Sequence, residues 1–184
     1  MATLTATRMT ADEFLACEAS EGFELVHGVP EEMQMGALSA WISGRLFARL
    51  DRFLEAHPLG WALPPETPVK AWPAEPNHFR KPDGMFVSKS RLSAVPVGTL
   101  EVAPDLAFEV VSPNDHAEAL EVKLSEYFAA GVRLAWVVYP ETRTIHVHRP
   151  DGTGARLGPD GILQGEDVLP GFSVPVIDLF PPAE

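Results

Sequence analysis

Two carboxylates and a lysine occupy positions in this chain where packing alone would favour apolar side chains. The first is Glu109, which lies within residues 106–113, Leu-Ala-Phe-Glu-Val-Val-Ser-Pro. This apolar run, rich in branched and aromatic residues, predicts a strand that is buried on both faces. A carboxylate removed from water without a partner would protonate, pair with a cation or bind a metal ion. The sequence therefore predicts a partner for Glu109.

A helix predicted after this strand offers a cation. Asp115 and Glu118 resemble a capping box at its start, and Gly131 suits the left-handed position after its end. Four residues between them share one face at helical spacing: Leu120, Lys123, Leu124 and Tyr127. Lys123 interrupts this apolar stripe. Its ammonium either reaches water along its own stem or points at the buried carboxylate of Glu109.

The second acid, Asp83, lies upstream in the sequence Lys-Pro-Asp-Gly of residues 81–84. Pro82 fixes φ and has no amide hydrogen to donate, so it marks the start of a strand that continues through residues 85–87. Asp83 then lies at the mouth of that strand. It serves either as a turn residue before glycine or as a second carboxylate for the same site.

The combination of Pro82-Asp83, Glu109 and Lys123 resembles the PD-(D/E)xK nuclease superfamily, and more closely its Uma-type branch of restriction endonucleases. Other segments typical of that branch follow in the same order over most of the chain: Phe23–Gly28, Lys81–Asp83, Glu109–Pro113, Lys123–Tyr127, Ala130–Val138 and Leu169–Phe180. Each segment is short and unspecific alone. Their shared order carries the resemblance.

The resemblance implies a fold and a chemistry. The fold is an α/β (α+β) restriction-endonuclease-like architecture, with a mixed central β-sheet flanked by helices in one domain over residues 1–184. The implied chemistry is hydrolysis of DNA phosphodiester bonds with Mg²⁺ or Mn²⁺. The implied metal ligands are Asp83, Glu109 and the main-chain carbonyl of Val110, while Lys123 orients water or offsets charge on the phosphorane. Glu24 would complete the catalytic set by binding a second ion or a water.

Two positions depart from the superfamily pattern, and the second of them keeps another hypothesis open. Val111 stands where the wider superfamily has the lysine of its ExK motif, so Lys123 must reach in from the helix, as in the Uma-type branch. A histidine usual near the start of the long helix is replaced in the region of Ala37 and Leu38. The alternative is a catalytically inactive nuclease fold that serves as a binding or dimerisation module.

Composition bounds these hypotheses. The chain has 184 residues, of which 46% are hydrophobic, so a packed core is expected rather than disorder. Its one cysteine, Cys17, cannot form an internal disulfide, and no segment is apolar and long enough to span a bilayer. We therefore expect a soluble cytoplasmic protein. Neither Cys17 nor Ser112 has the neighbours that covalent catalysis needs.

The formal net charge of -12 opposes contact with phosphates. A metal-binding cluster is itself acidic, however, and a local basic patch matters more than the total charge. Eight residues are candidates for such a patch: Arg45, Arg49, Arg52, Lys70, Arg80, Lys81, Lys89 and Arg91. The alternative is that they are ordinary solvated charges.

The rest of the sequence predicts further helices and strands. The predicted elements are a helix over Thr10–Ser20, strands over Phe23–Val26, Val29–Met35 and Val69–Trp72, a long helix over Ala37–His57, and a hairpin of Arg133–Tyr139 with Arg143–His148. On that hairpin His146 and His148 share a face. They are either a pair of zinc ligands for which no third ligand is evident nearby, or two exposed histidines. The apolar tail Leu169–Phe180 either caps the core or builds the contact of a homodimer.

Overall fold

The computed structural model describes residues 8–17, 20–33, 35–113 and 115–182, and in them it contains three α-helices, ten strands and a final 3-10 turn. In chain order the elements are α1 (Ala11–Leu15), β1 (Phe23–Val26), β2 (Val29–Glu32), α2 (Ala37–Ala56), β3 (Gly60–Leu63), β4 (Gly84–Ser88), β5 (Leu106–Val110), α3 (Ala117–Ala130), β6 (Leu134–Tyr139), β7 (Thr144–His148), β8 (Gly154–Leu157), β9 (Ile162–Gly165), β10 (Leu169–Pro175) and the turn Val176–Leu179.

Six strands form a mixed central sheet in the order β3-β4-β5-β6-β7-β8. Within it β5 and β6 pair in parallel, with α3 as the crossover, and the other neighbours are antiparallel. The hairpins β1-β2 and β9-β10 form two smaller sheets. The predicted mixed sheet flanked by helices is confirmed. So is the prediction that the strand after Asp83 neighbours the strand of Glu109, since Gly84 lies opposite Phe108.

The alternation of side chains along β5 decides which face of the sheet receives Glu109. Leu106, Phe108 and Val110 pack into the cluster that contains α2. Ala107 packs into the opposite cluster, which contains Leu124 of α3. Because successive strand residues point to opposite faces, Glu109 shares the α3 face with Ala107.

Several predicted boundaries are wrong. The first helix ends at Leu15, with Glu18 and Ala19 outside the described residues, and its Thr10–Glu13 capping box is present. The second strand ends at Glu32 and the segment from Val69 forms only isolated bridges.

The start of α3 also differs from the prediction. His116 is its N-cap and makes no side-chain cap, so the predicted Asp115–Glu118 box does not form. The Asp115 carboxylate instead accepts a hydrogen bond from the Ser112 amide at 2.7 Å. Gly131 has the predicted left-handed conformation after the helix, with φ of 102°.

The C-terminal tail belongs to the core of this chain. Its buried apolar side chains lie in the cluster with α2 and the central sheet: Leu169, Phe172, Val174, Val176, Leu179 and Phe180. Of the two roles considered for the tail, the structure shows the one in which it caps the core. No helix in the described ranges combines the length and the apolar character needed to cross a membrane.

Candidate active site

Asp83 and Val110 lie close together because β4 and β5 are antiparallel, so the start of β4 lies beside the end of β5. Asp83 comes directly before β4, and Val110 is the last residue of β5. The Val110 amide donates a hydrogen bond to Asp83 Oδ2 at 2.6 Å. From α2, Ser43 Oγ donates to the main-chain oxygen of Asp83 at 2.7 Å. The Asp83 carboxylate is thus held beside the main chain of Val110.

Glu109 is held from the helix side by two residues that lie four positions apart. Lys123 Nζ donates to Glu109 Oε2 at 2.9 Å, and the Tyr127 hydroxyl donates to Oε1 at 2.5 Å. Spacing by four places both donors on one face of α3. Of the two outcomes considered for Lys123, the structure shows the ammonium directed at the buried carboxylate.

Glu24 joins the same cluster from β1. Its Oε1 lies 3.1 Å from Lys123 Nζ and accepts the Lys81 amide at 2.6 Å, while Oε2 accepts from Arg80 Nη1 at 3.0 Å. Its carboxylate is therefore buried among cations and donors rather than facing solvent. The structure brings together all the residues predicted from the sequence for this site: Glu24, Asp83, Glu109, Val110 and Lys123.

Arg80 and Lys81 differ from the prediction, which treated them as surface charges or a basic patch. Both are buried. Arg80 bridges Glu24 and Glu126, with Nε donating to Glu126 Oε2 at 2.6 Å. Lys81 Nζ donates to Glu66 Oε2 at 2.7 Å. Their charges therefore balance acids inside the protein.

The cluster holds more negative than positive groups. Four carboxyl groups, on Glu24, Asp83, Glu109 and Glu126, face two buried cations, Lys123 and Arg80. Burial, together with the nearby Asp83 and Glu24, raises the pKa of Glu109 to about 8, although Lys123 and the Tyr127 hydroxyl oppose the shift. Burial also raises the pKa of Asp83 to about 6, although Lys123 and the Val110 amide oppose the shift.

The remaining charged groups are held in their ionised forms. Burial would raise the pKa of Glu24, but Lys123 and Arg80 outweigh it and the pKa is lowered. Burial would lower the pKa of Lys123, yet the carboxylates of Glu109, Glu24 and Asp83 raise it. Lys123 is therefore an ammonium at neutral pH, in which form it donates to Glu109.

The donor set fits a hard divalent cation. Asp83, Glu109 and the main chain of Val110 offer oxygen atoms at adjoining strand ends, and oxygen is the ligand that Mg²⁺ prefers. Burial is the main reason that the pKa values of the two acids are raised, so their charged forms lack compensation for the hydration that they have lost. A bound cation would supply the missing positive charge.

Sequence reasoning missed Arg80, Glu126 and Ser43 as parts of the site, and placed Tyr127 on the helix face of Lys123 without giving it a role there. A signal existed for two of them, because Glu126 and Tyr127 follow Lys123 at the i+3 and i+4 positions of one helix face. Arg80 and Ser43 carried no local signal of this kind.

The histidine pair of β7 stays outside the site. His146 and His148 have ring centroids 6.2 Å apart. In the described part of the chain they join no group of three metal-ligating residues; the one such group consists of His27, Glu75 and His78. The interpretation of His146 and His148 as a zinc pair therefore gains no third ligand.

Comparisons with known proteins identify the fold and the family of this chain. Among solved structures, that of a "putative nuclease belonging to DUF820" from Anabaena variabilis ATCC 29413 has a TM-score of 0.78 and 21% sequence identity, covering 94% of this chain and 97% of its own. This likeness shows the fold. No curated protein matches significantly. The family model described as "Uma2: Putative restriction endonuclease" matches residues 11–177. The chain therefore belongs to the Uma2 family.

Proposed function

We propose that this protein is a metal-dependent endonuclease that hydrolyses phosphodiester bonds in DNA. The observation that carries the proposal is the pairing of Glu24 and Glu109 with the ammonium of Lys123, while Asp83 is held beside Glu109 by the Val110 amide. Membership of the Uma2 family and the nuclease fold support it.

Asp83, Glu109 and the carbonyl of Val110 are the proposed ligands of Mg²⁺ or Mn²⁺. Such an ion polarises a phosphate and lowers the pKa of a water bound to it. The protein holds its two carboxylate ligands in position before substrate binds. Tyr127 and Lys123 fix the carboxylate of Glu109, and the Val110 amide fixes that of Asp83, so neither acid has to be ordered when substrate binds.

Lys123 is the proposed electrostatic partner of the reacting phosphate. Its ammonium is held between Glu109 at 2.9 Å and Glu24 at 3.1 Å. From there it orients the attacking water or offsets negative charge that develops on the phosphorane. Glu24 holds Lys123 in place and offers a carboxylate for a second ion or a water.

The direct test is cleavage of DNA by the purified full chain. Supercoiled plasmid and single-stranded DNA are incubated with millimolar Mg²⁺ or Mn²⁺, and with chelator as the control. We expect nicked or linear plasmid in the presence of metal and none with chelator. Intact plasmid and intact single strands under every metal condition would contradict the proposed activity.

The stability of the metal-free protein is expected to fall as the pH rises from about 5 to about 8. In the folded protein the pKa of Asp83 is about 6 and that of Glu109 about 8, both above their ordinary values. The folded state therefore binds these protons more tightly, and their stabilising contribution is lost as the pH rises through the folded pKa values. Melting temperatures in chelator across this range check the prediction.

Divalent metal and Glu109→Gln serve as controls for that pH dependence. Mg²⁺ or Mn²⁺ is expected to raise the melting temperature near pH 8, because it binds the folded acids. Glu109→Gln should raise metal-free stability, flatten its dependence on pH and remove the response to metal. A melting temperature that changes with neither pH nor metal would favour the alternative, an inactive module. In that case Lys123 and Tyr127 would be the only partners of the Glu109 carboxylate, as they are among the residues that the structure describes.

The proposal includes a homodimer, in which two sites meet the two strands of DNA. The tail from Leu169 to Phe180 is buried in the core, so the subunit contact must be sought on another surface. We expect light scattering at micromolar concentration to give twice the mass of one chain. The mass of a single chain would rule the homodimer out.

A further inference from the structure

A second group of metal-ligating side chains lies outside the Asp83 and Glu109 site. His27 occupies the turn between β1 and β2, while Glu75 and His78 lie in the segment between β3 and β4. One ligand atom from each of these three residues lies within 4.8 Å of the others. The proposed nuclease chemistry uses none of them.

His78 is the buried member of this group. Its side chain is 1% exposed and its Nε2 has no hydrogen-bond partner in the described structure. The nearest carboxylate oxygen, Glu126 Oε2, is 3.4 Å away. At this distance the two atoms are close enough for an ion pair but do not form a hydrogen bond, so Nε2 lacks the close partner that buried polar atoms usually have.

The other ring nitrogen of His78 is weakly engaged. The His27 amide donates to His78 Nδ1 at 3.3 Å, which is long for such a bond. A neutral imidazole carries one proton, so a metal ion at either nitrogen would cost only this weak bond. Metal binding at His78 would therefore break only one weak hydrogen bond.

We propose that His27, Glu75 and His78 bind a first-row transition ion such as Zn²⁺. Two imidazole nitrogens and a carboxylate oxygen are typical zinc ligands, whereas Mg²⁺ prefers oxygen alone. Three protein ligands leave a fourth position for water. The site is thus chemically distinct from the all-oxygen set at Asp83 and Glu109.

The geometry requires only small movements of exposed side chains. Bonds of zinc length in a tetrahedral site separate ligand atoms by about 3.3 Å. The present separations, at most 4.8 Å, must therefore shorten by up to about 1.5 Å. The side chains of His27 and Glu75 are 54% and 45% exposed and already contact each other, so they can move towards the buried His78.

The ion would connect the segments that carry the candidate active site. His27 follows the strand of Glu24, and His78 lies two residues before Arg80. Main-chain bonds already join these segments, with the Gly28 amide donating to Asn77 O and the Phe79 amide to Leu25 O, each at 2.7 Å. Binding should therefore stabilise the folded protein.

The test is to measure Zn²⁺ binding to the chelator-treated full chain by calorimetry and by thermal melting. We expect one ion per chain and a melting temperature raised by about 5 to 10 °C when free Zn²⁺ is a hundredfold above its Kd. Co²⁺ in place of Zn²⁺ should give visible absorption typical of nitrogen and oxygen ligands in a low-coordinate site.

Variants distinguish this site from other sources of binding. His27→Asn keeps a residue that tolerates the positive φ of 49° but removes the imidazole, and Glu75→Gln removes the carboxylate charge. Each should weaken Zn²⁺ binding at least tenfold, whereas His146→Asn and Glu109→Gln should leave one tight ion bound. Absence of tight Zn²⁺ binding, or binding that survives His27→Asn and disappears in either control, would overturn the proposal in favour of a simple network of His–Glu ion pairs.

Discussion

Lys123→Ala is expected to slow Mg²⁺-dependent DNA cleavage by at least about a hundredfold, because removal of one preorganised electrostatic donor costs about 10² to 10³ in rate. The structure fixes this ammonium between Glu109 and Glu24, and the charges around it keep it protonated. The measurement is the initial rate of plasmid nicking in Mg²⁺ and in Mn²⁺. Undiminished nicking by the variant would refute the assigned role of Lys123.

Asp83→Asn tests the same site from the metal side. The amide oxygen of asparagine can still accept the Val110 hydrogen bond of 2.6 Å, so the change removes mainly the charge. We expect an equally large loss of cleavage together with weaker Mg²⁺ binding. Asp51→Asn, at an exposed aspartate of α2, is the matched control and should retain the rate. Circular dichroism on each variant excludes loss of fold as the cause.

Glu24→Ala is expected to lower the free energy of unfolding by about 3 to 5 kcal/mol, since removal of one partner leaves buried charges uncompensated. Arg80, Lys123 and the Lys81 amide all lose an acceptor at once. Denaturant titration with urea measures the effect. A loss below about 1 kcal/mol would mean that the buried network contributes little to stability.

Two further variants separate charge from hydrogen bonding in this network. Glu24→Gln retains an oxygen for the Lys81 amide but not the negative charge that faces Arg80 and Lys123, so its cost should be intermediate. Glu118→Ala, at an exposed glutamate in the first turn of α3, should change stability little. Equal costs for Glu24→Gln and Glu24→Ala would assign the whole effect to charge.

The sequence was sufficient for the elements that carry the central residues. The apolar run around Glu109 predicted a buried strand, and helical spacing placed Lys123 and Tyr127 on one face of α3. These signals are local, because strand alternation and helical periodicity are expressed within a few residues. Family resemblance then joined Asp83 and Glu24 to them across the chain. Helix and strand ends were predicted less well, since caps such as that of α3 depend on neighbouring loops.

Only the tertiary structure decided how the charges are paired. Arg80 looked like a surface residue, yet it is buried between Glu24, which is 56 positions away, and Glu126, which is 46 positions away. The same holds for His78, whose neighbours come from a distant turn and from α3. A charged side chain can be buried only where partners compensate its lost hydration. Those partners come from distant segments, so the local pattern around Arg80 or His78 could not reveal them.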